Sequence, residues 1–123
     1  MTALIPIPSE RRPLSAMIAA LPDPVIVVTG DFRVLAANGP ARQILPALRT
    51  GDLLALSLRD PDVLDGIRRV HASGLTETVA WRDRVPVERA FDITIASLDA
   101  PGESRDLVLT VKDLTEALSL IHI

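Results

Sequence analysis

Few residues of this 123-residue chain have side chains suited to chemistry. It contains no cysteine and two histidines, His71 and His122. Without cysteine there can be no disulfide, iron–sulfur cluster, cysteine-bound zinc or thiol nucleophile. No Ser-His-Asp grouping or phosphate-cradling glycine loop stands out, and Asp60 and Asp62 fit a helix N-terminus better than a carboxylate pair. These residues predict no catalytic and no metal-binding site, and the lack of convergent polar groups counts against the alternative of a small stand-alone enzyme.

Composition limits the remaining possibilities. The chain is 48% hydrophobic and 24% charged, with a net charge of -3. This length predicts one domain with its own hydrophobic core. The absence of a basic stripe argues against nucleic-acid binding. No apolar run approaches the ~20 residues of a membrane-spanning helix, so we expect no membrane insertion of this segment.

The N-terminal half predicts a helix followed by a hairpin. Residues 1–12 resemble a flexible lead-in, and Arg11-Arg12 before apolar residues 14–21 could also begin a signal peptide. Pro22 cuts that stretch short and no small-residue cleavage site follows, so an amphipathic helix is favoured. Strands are predicted over 24–29 and 33–38, joined by a turn at Gly30-Asp31, with a short helix beginning at Gly39-Pro40.

The C-terminal half predicts one well-capped helix and three strands. Asp60 is a good N-cap for a helix over 61–73, and Gly74 is a good C-terminal stop. Gly66 inside this helix suggests close packing. Alternating apolar residues predict strands over 75–81, 85–98 and 107–111. The residues expected to share one face of each strand are Leu75, Val79 and Trp81; Phe91, Ile93 and Ile95; and Leu107, Leu109 and Val111, of which the last three are expected to face the core. The order predicts an α+β fold with one antiparallel sheet and helices on one face.

Three segments carry a resemblance to PAS domains, the sensory modules of bacterial signalling proteins. Leu21–Val28 followed by Arg33–Asn38 resembles the opening hairpin of PAS domains. Asn38–Arg42 is similar to the Asn-x-x-Ala start of their first core helix, and Val108–Glu116 resembles their closing strand with its Asp-x-Thr sequel. The likeness covers about residues 14–118, and its nearest variety is the PAS domain of phosphate-regulon-like sensor histidine kinases.

The resemblance implies a fold and a function. It implies a five-stranded sheet in the order 2-1-5-4-3, an N-terminal helix, and a sensory domain over residues 13–116 in a cytoplasmic two-component kinase. Asp113 and Thr115 would form a junction that relays sheet movement to an output helix. The alternative interpretation is a strand end followed by an ordinary helix cap. Residues 117–123 would begin the output helix or be a non-native tail.

The resemblance also implies a ligand pocket between the 61–73 helix and the sheet. Its expected lining is apolar and suits a small apolar metabolite or no ligand: Leu64, Ile67, Val70, Phe91 and Ile93. No cofactor is expected. A haem bound through His71, or a flavin, is the alternative, but the lack of cysteine excludes thiol-linked light sensors. Trp81 is expected to pack at a sheet or dimer surface.

The predicted N-terminal helix is the candidate partner surface. Its apolar stripe consists of Leu14, Ile18 and Leu21, and we expect a homodimer to form through it. Asn38, at the end of the second predicted strand, is expected to be structural because an Asn side chain readily bonds nearby backbone.

Overall fold

One antiparallel sheet of five strands organises the molecule. The computed structural model describes residues 15–83, 89–98 and 106–114. The strands are β1 (Val25–Val28), β2 (Val34–Ala37), β3 (Glu77–Asp83), β4 (Arg89–Ser97) and β5 (Leu107–Asp113), in the spatial order β2-β1-β5-β4-β3. The predicted α+β class and strand order are confirmed.

The helices cover this sheet unequally. Helix α1, described over residues 15–19, precedes β1. Between β2 and β3 come α2 (Gly39–Ile44), a 3₁₀ helix (Leu54–Leu56) and α3 (Pro61–Ser73). These three elements pack on one side of the sheet, here called the inner face, and α1 packs on the opposite, outer face. No helix in the described ranges is long and apolar enough to cross a membrane.

The position of β1, with packing on both faces, explains why its sequence is a continuous apolar run. Ile26 and Val28 belong to the inner-face core, whereas Val25 and Val27 pack with α1 on the outer face. A strand covered on both faces needs apolar residues at every position, not at alternate ones. All four are buried.

Helix α3 forms where its end signals predict. The Asp60 carboxylate accepts hydrogen bonds from the backbone N–H groups of Asp62 and Val63, and Gly74 ends the helix in the left-handed region at φ 77°. Gly66 is needed for close approach, because a Cβ there would lie 2.8 Å from Val79 Cγ2. Packing of α3 directly on β3 therefore requires a glycine.

The predicted start of β3 is wrong by two residues. The strand begins at Glu77, and Leu75 is 71% exposed in the connection after α3. Gly74 turns the chain and the Leu75 N–H is bound by the Ser73 hydroxyl at 3.0 Å, so Leu75 is not paired within the sheet. Part of the predicted 85–98 strand and the predicted 99–104 loop lie outside the described residues.

Candidate functional site

The end of β5 places Asp113 in a row with two aromatic residues. Trp81 pairs with Phe91 across β3 and β4, and Phe91 pairs with Asp113 across β4 and β5. The two rings stack with centroids 4.8 Å apart and planes inclined by 22°. This junction row, Trp81-Phe91-Asp113, brings the last residue of the sheet beside an aromatic pair in the core.

The junction row runs from buried to exposed. Phe91 and Trp81 are buried in the inner-face core, whereas Asp113 is exposed. Trp81 therefore packs inside the domain, against Phe91 on the inner face of the sheet. Beyond Asp113 the chain stays attached, because the Leu114 N–H donates to the Ala90 carbonyl at 2.8 Å. Thr115 lies outside the described residues.

A second group of contacts centres on Asn38, which is 2% exposed. Its side-chain oxygen accepts hydrogen bonds from the N–H groups of Val25 (2.9 Å) and Ala41 (3.1 Å). Its amide nitrogen donates to the carbonyls of Ile18 (2.9 Å) and Asp23 (2.8 Å). Asn38 thus caps α2 and fastens α1 and the start of β1 to it. The expected structural role holds, but the reach back across 20 residues to Ile18 has no local sequence signal.

Only part of the α1 stripe is open to a partner. Ile18 is 5% exposed and packs on Val25 and Val27 of the outer face. It therefore belongs to the fold of a single chain. Met17 and Leu21 are 62% and 46% exposed. Leu14 lies outside the described residues.

Four of the five residues predicted to line a pocket lie in the inner-face core. Ile67, Val70, Phe91 and Ile93 are at most 1% exposed and pack in the inner-face core. These side chains pack together between α3 and the sheet, and their role in a ligand pocket stays a prediction. Leu64 is half-buried at the edge of that core and does line a pocket.

That pocket lies between the β1–β2 turn, the 3₁₀ segment and α3. Its volume is about 150 Å³, and it is lined by Phe32, Leu53, Ala55, Leu64 and Arg68. The Arg68 guanidinium carbon lies 5.2 Å from the centre of the Phe32 ring, a cation–π contact. The pocket is thus apolar with one cationic side chain. Sequence reasoning missed it because its walls come from three separate segments.

His71 occupies a position against the β1–β2 turn. A Cβ at Gly30 would overlap its imidazole, with Cδ2 only 2.6 Å away, so the ring rests on the glycine backbone. Among the described residues, no group of three or more His, Cys, Asp or Glu side chains could hold a metal ion. The haem alternative through His71 stays a prediction.

Two carboxyl groups, those of Glu77 and Asp31, have lowered pKa values because neighbouring side chains donate hydrogen bonds to them. The Arg69 side chain donates to both Glu77 oxygens, at 2.9 and 3.0 Å, and this lowers the pKa of the Glu77 carboxyl. A hydrogen bond from the Thr29 hydroxyl lowers the pKa of Asp31. Both carboxyl groups are kept charged, which suits surface ion pairs and turns better than general acid catalysis.

Comparison with known proteins gives a likeness of structure without one of sequence. No known protein-family profile matches the chain, and no curated protein matches it. The PAS domain of Bordetella pertussis BvgS superposes with a TM-score of 0.72 at 16% identity, covering 93% of each chain. The phage VqmA protein, in its complex with DPO, gives 0.74 at 18% identity; 94% of this chain is covered and 57% of that one.

A third structure extends the comparison to a kinase. A sensory box sensor histidine kinase from Vibrio cholerae gives a TM-score of 0.60 at 15% identity, covering 89% of this chain and 94% of the other. These neighbours share the sheet and helix arrangement described above. The chain has the PAS fold.

Proposed function

We propose that this chain is the PAS sensory module of a bacterial sensor histidine kinase, acts in the cytoplasm, and passes its signal through Asp113, Leu114 and Thr115 to an output helix. The observation that carries the proposal is the junction row, in which Asp113 lies directly beside the Trp81–Phe91 stack. Structural neighbours from sensor histidine kinases support the kinase context.

The position of β5 suits a relay. It lies at the centre of the sheet, between β1 and β4, and so touches both halves of the domain. A change in the packing of Phe91 acts on Asp113, its direct partner in the sheet. Because Asp113 is exposed, it can exchange one set of hydrogen bonds for another at little energetic cost.

The relay is tested by joining the full chain to the catalytic core of a histidine kinase and measuring autophosphorylation. Asp113→Ala should change the activity of the fusion, because it alters the residue at the exit of the sheet. Lys112→Ala is the matched control: Lys112 is the neighbouring exposed residue of β5, and its sheet partner is Asp92 instead of Phe91. This control should leave autophosphorylation unchanged.

Thermal unfolding separates a relay from a folding defect. Exposed substitutions usually change stability by about 0.5 kcal/mol or less, which corresponds to ~2–4 °C in a domain of this size. Asp113→Ala should therefore unfold within a few degrees of the parent. If the activity of the fusion follows its melting temperature, or if Lys112→Ala has the same effect, Asp113 is only a strand end.

We also propose that two copies associate through α1. Met17 on this helix and Leu21 just after it form an exposed apolar surface, and burying such surface contributes about 25 cal/mol per Å². Light scattering on the chain should give the mass of a dimer, and Met17→Lys with Leu21→Lys should reduce it to that of a monomer. Leu75→Lys changes a more exposed leucine elsewhere and should leave the dimer intact. A monomeric parent at high micromolar concentration would contradict the proposal.

A further inference from the structure

We infer that the pocket between the β1–β2 turn and α3 binds a small carboxylate with a compact apolar body, and that Arg68 binds the carboxylate group. This inference rests on the proposed sensory function and names the chemical class of its ligand. It follows from the size of the pocket, the chemistry of its lining, and the way in which Phe32 and Arg68 are held.

The volume sets the size of the apolar body. A dry cavity of about 150 Å³ lined by apolar side chains is known to hold benzene. The pocket has a comparable volume and is partly open to solvent, and its walls include Phe32, Leu53, Ala55 and Leu64. A six-membered ring or a short branched alkyl group therefore fits within it, whereas a planar cofactor of the size of flavin or haem is too large to be enclosed.

Arg68 supplies the polar half of the recognition. A guanidinium binds carboxylates through paired, parallel hydrogen bonds. The Nη1 atom of Arg68 now contacts an Asp65 carboxylate oxygen at 2.6 Å, and these side chains are 61% and 55% exposed. Exposed ion pairs of this kind contribute little to stability. A ligand carboxylate can therefore replace Asp65 with little net loss.

Phe32, one of the lining residues, has an uncommon backbone conformation. Its φ of 68° lies in the left-handed region, which is unfavourable for a bulky aromatic residue. Two backbone hydrogen bonds hold it there: its N–H donates to the Thr29 carbonyl at 3.0 Å, and its carbonyl accepts from Leu54 at 2.8 Å. Strained residues of this kind are concentrated at ligand sites. The strain here places the aromatic ring under Arg68.

The neighbouring arginine provides the control for charge. Arg69 follows Arg68 on α3 but is bound to Glu77 of β3, and it is not part of the pocket lining. Removing either side chain takes one positive charge from nearly the same place in the sequence. A nonspecific attraction of anions to α3 would respond equally to both substitutions, whereas a pocket built around Arg68 would respond to one.

The test is a ¹H–¹⁵N NMR titration of the full chain with benzoate and with benzamide, its neutral counterpart. Benzoate should shift the amide signals of Phe32, Leu53, Ala55 and Leu64. It should bind roughly 5- to 10-fold more tightly than benzamide, a preference that salt weakens. Arg68→Met should abolish the preference and leave benzamide binding unchanged, and Arg69→Met should retain it. Ala55→Leu, which fills the pocket, should weaken both probes.

Three results would overturn the inference. Equal binding of benzoate and benzamide would exclude the carboxylate, and an equal loss in Arg68→Met and Arg69→Met would exclude a specific role for Arg68. Absence of shifts at the lining residues with both probes would exclude the pocket itself. None of these results changes the Asp113→Ala experiment, because that is measured as autophosphorylation of the fusion without added probe. The ligand class and the relay can therefore fail separately.

Discussion

Replacing Asn38 by aspartate should loosen α1 while leaving the cap of α2 in place. In the parent, the Asn38 amide nitrogen donates to the carbonyls of Ile18 and Asp23, and the side-chain oxygen accepts from Val25 and Ala41. Aspartate keeps an oxygen for the two N–H groups but turns a second oxygen toward the carbonyls. Asn38→Asp thus removes the donor alone from a buried network.

The magnitude follows from the two short hydrogen bonds that are lost. A buried group left without its partner costs about 1–3 kcal/mol, so the two carbonyls of Ile18 and Asp23 together account for ~2–6 kcal/mol at neutral pH. This is a large part of a typical stability of about 5–15 kcal/mol. The chain can limit the loss by releasing residues 15–23, at the cost of exposing Ile18. Local detachment is therefore expected before global unfolding.

Urea unfolding and amide hydrogen exchange together measure these two effects. Amides in residues 15–23 should exchange faster in Asn38→Asp, while those of α2 stay protected. The loss of stability in Asn38→Asp should be smaller in acid. Burial and the facing carbonyls raise the pKa of the new carboxyl, and the protonated carboxyl is again a hydrogen-bond donor. That stabilisation is complete below the ordinary aspartate pKa of about 3.9 and is lost as pH rises through the raised value.

Asn38→Ala is the comparison that removes both halves of the network. It should be less stable than Asn38→Asp by about 1 kcal/mol, because the N-cap of α2 is lost as well. If the two variants are equally stable, or if residues 15–23 stay protected in Asn38→Asp at neutral pH, Asn38 does not fasten α1 as described.

Three further experiments test other contacts. Gly66→Ala should destabilise the fold by about 1–2 kcal/mol through overlap with Val79, and Val79→Ala in the same chain should cost less than it does alone. Because Arg69 lowers the pKa of Glu77, the stabilisation from this ion pair is complete above about pH 4.5 and is lost as pH falls through the lowered pKa. Glu77→Gln should remove this part of the acid sensitivity, measured by urea unfolding down to about pH 3. When haemin is added, the parent chain and His71→Ala should give the same Soret absorption. A Soret band that is present in the parent and lost in His71→Ala would establish the haem alternative.

The sequence predicted the elements well because their signals are local. The helix over 61–73 is marked at both ends by Asp60 and Gly74, and its observed bounds agree. The alternation in β5 correctly assigns Leu107, Leu109 and Val111 to the core. Leu75 fits the alternating pattern but lies before the strand, because the pattern does not show at which residue after the helix cap the strand begins.

The site was less predictable because it depends on contacts between distant segments. The pocket combines the β1–β2 turn, the 3₁₀ segment and α3, and only Leu64 of its lining was foreseen. The left-handed φ of Phe32 has no sequence signal, since glycine or asparagine is the usual residue in that region. The other four residues predicted to line a pocket are apolar and lie in the core, and apolarity alone does not distinguish core packing from a cavity wall.

Hydrogen bonds of Pro24 and Val25 connect helix α1 with the end of β5. Val25 accepts a hydrogen bond from the Asn38 N–H at 3.1 Å, and Asn38 in turn fastens α1. The Val111 N–H, two residues before Asp113, donates to the Pro24 carbonyl at 3.0 Å. The element that would meet a partner and the residue that would relay the signal are thus linked through the start of β1. A displacement of α1 must either break these hydrogen bonds or move β5 with it, and this connection gives the proposed dimer surface and the proposed relay one physical basis.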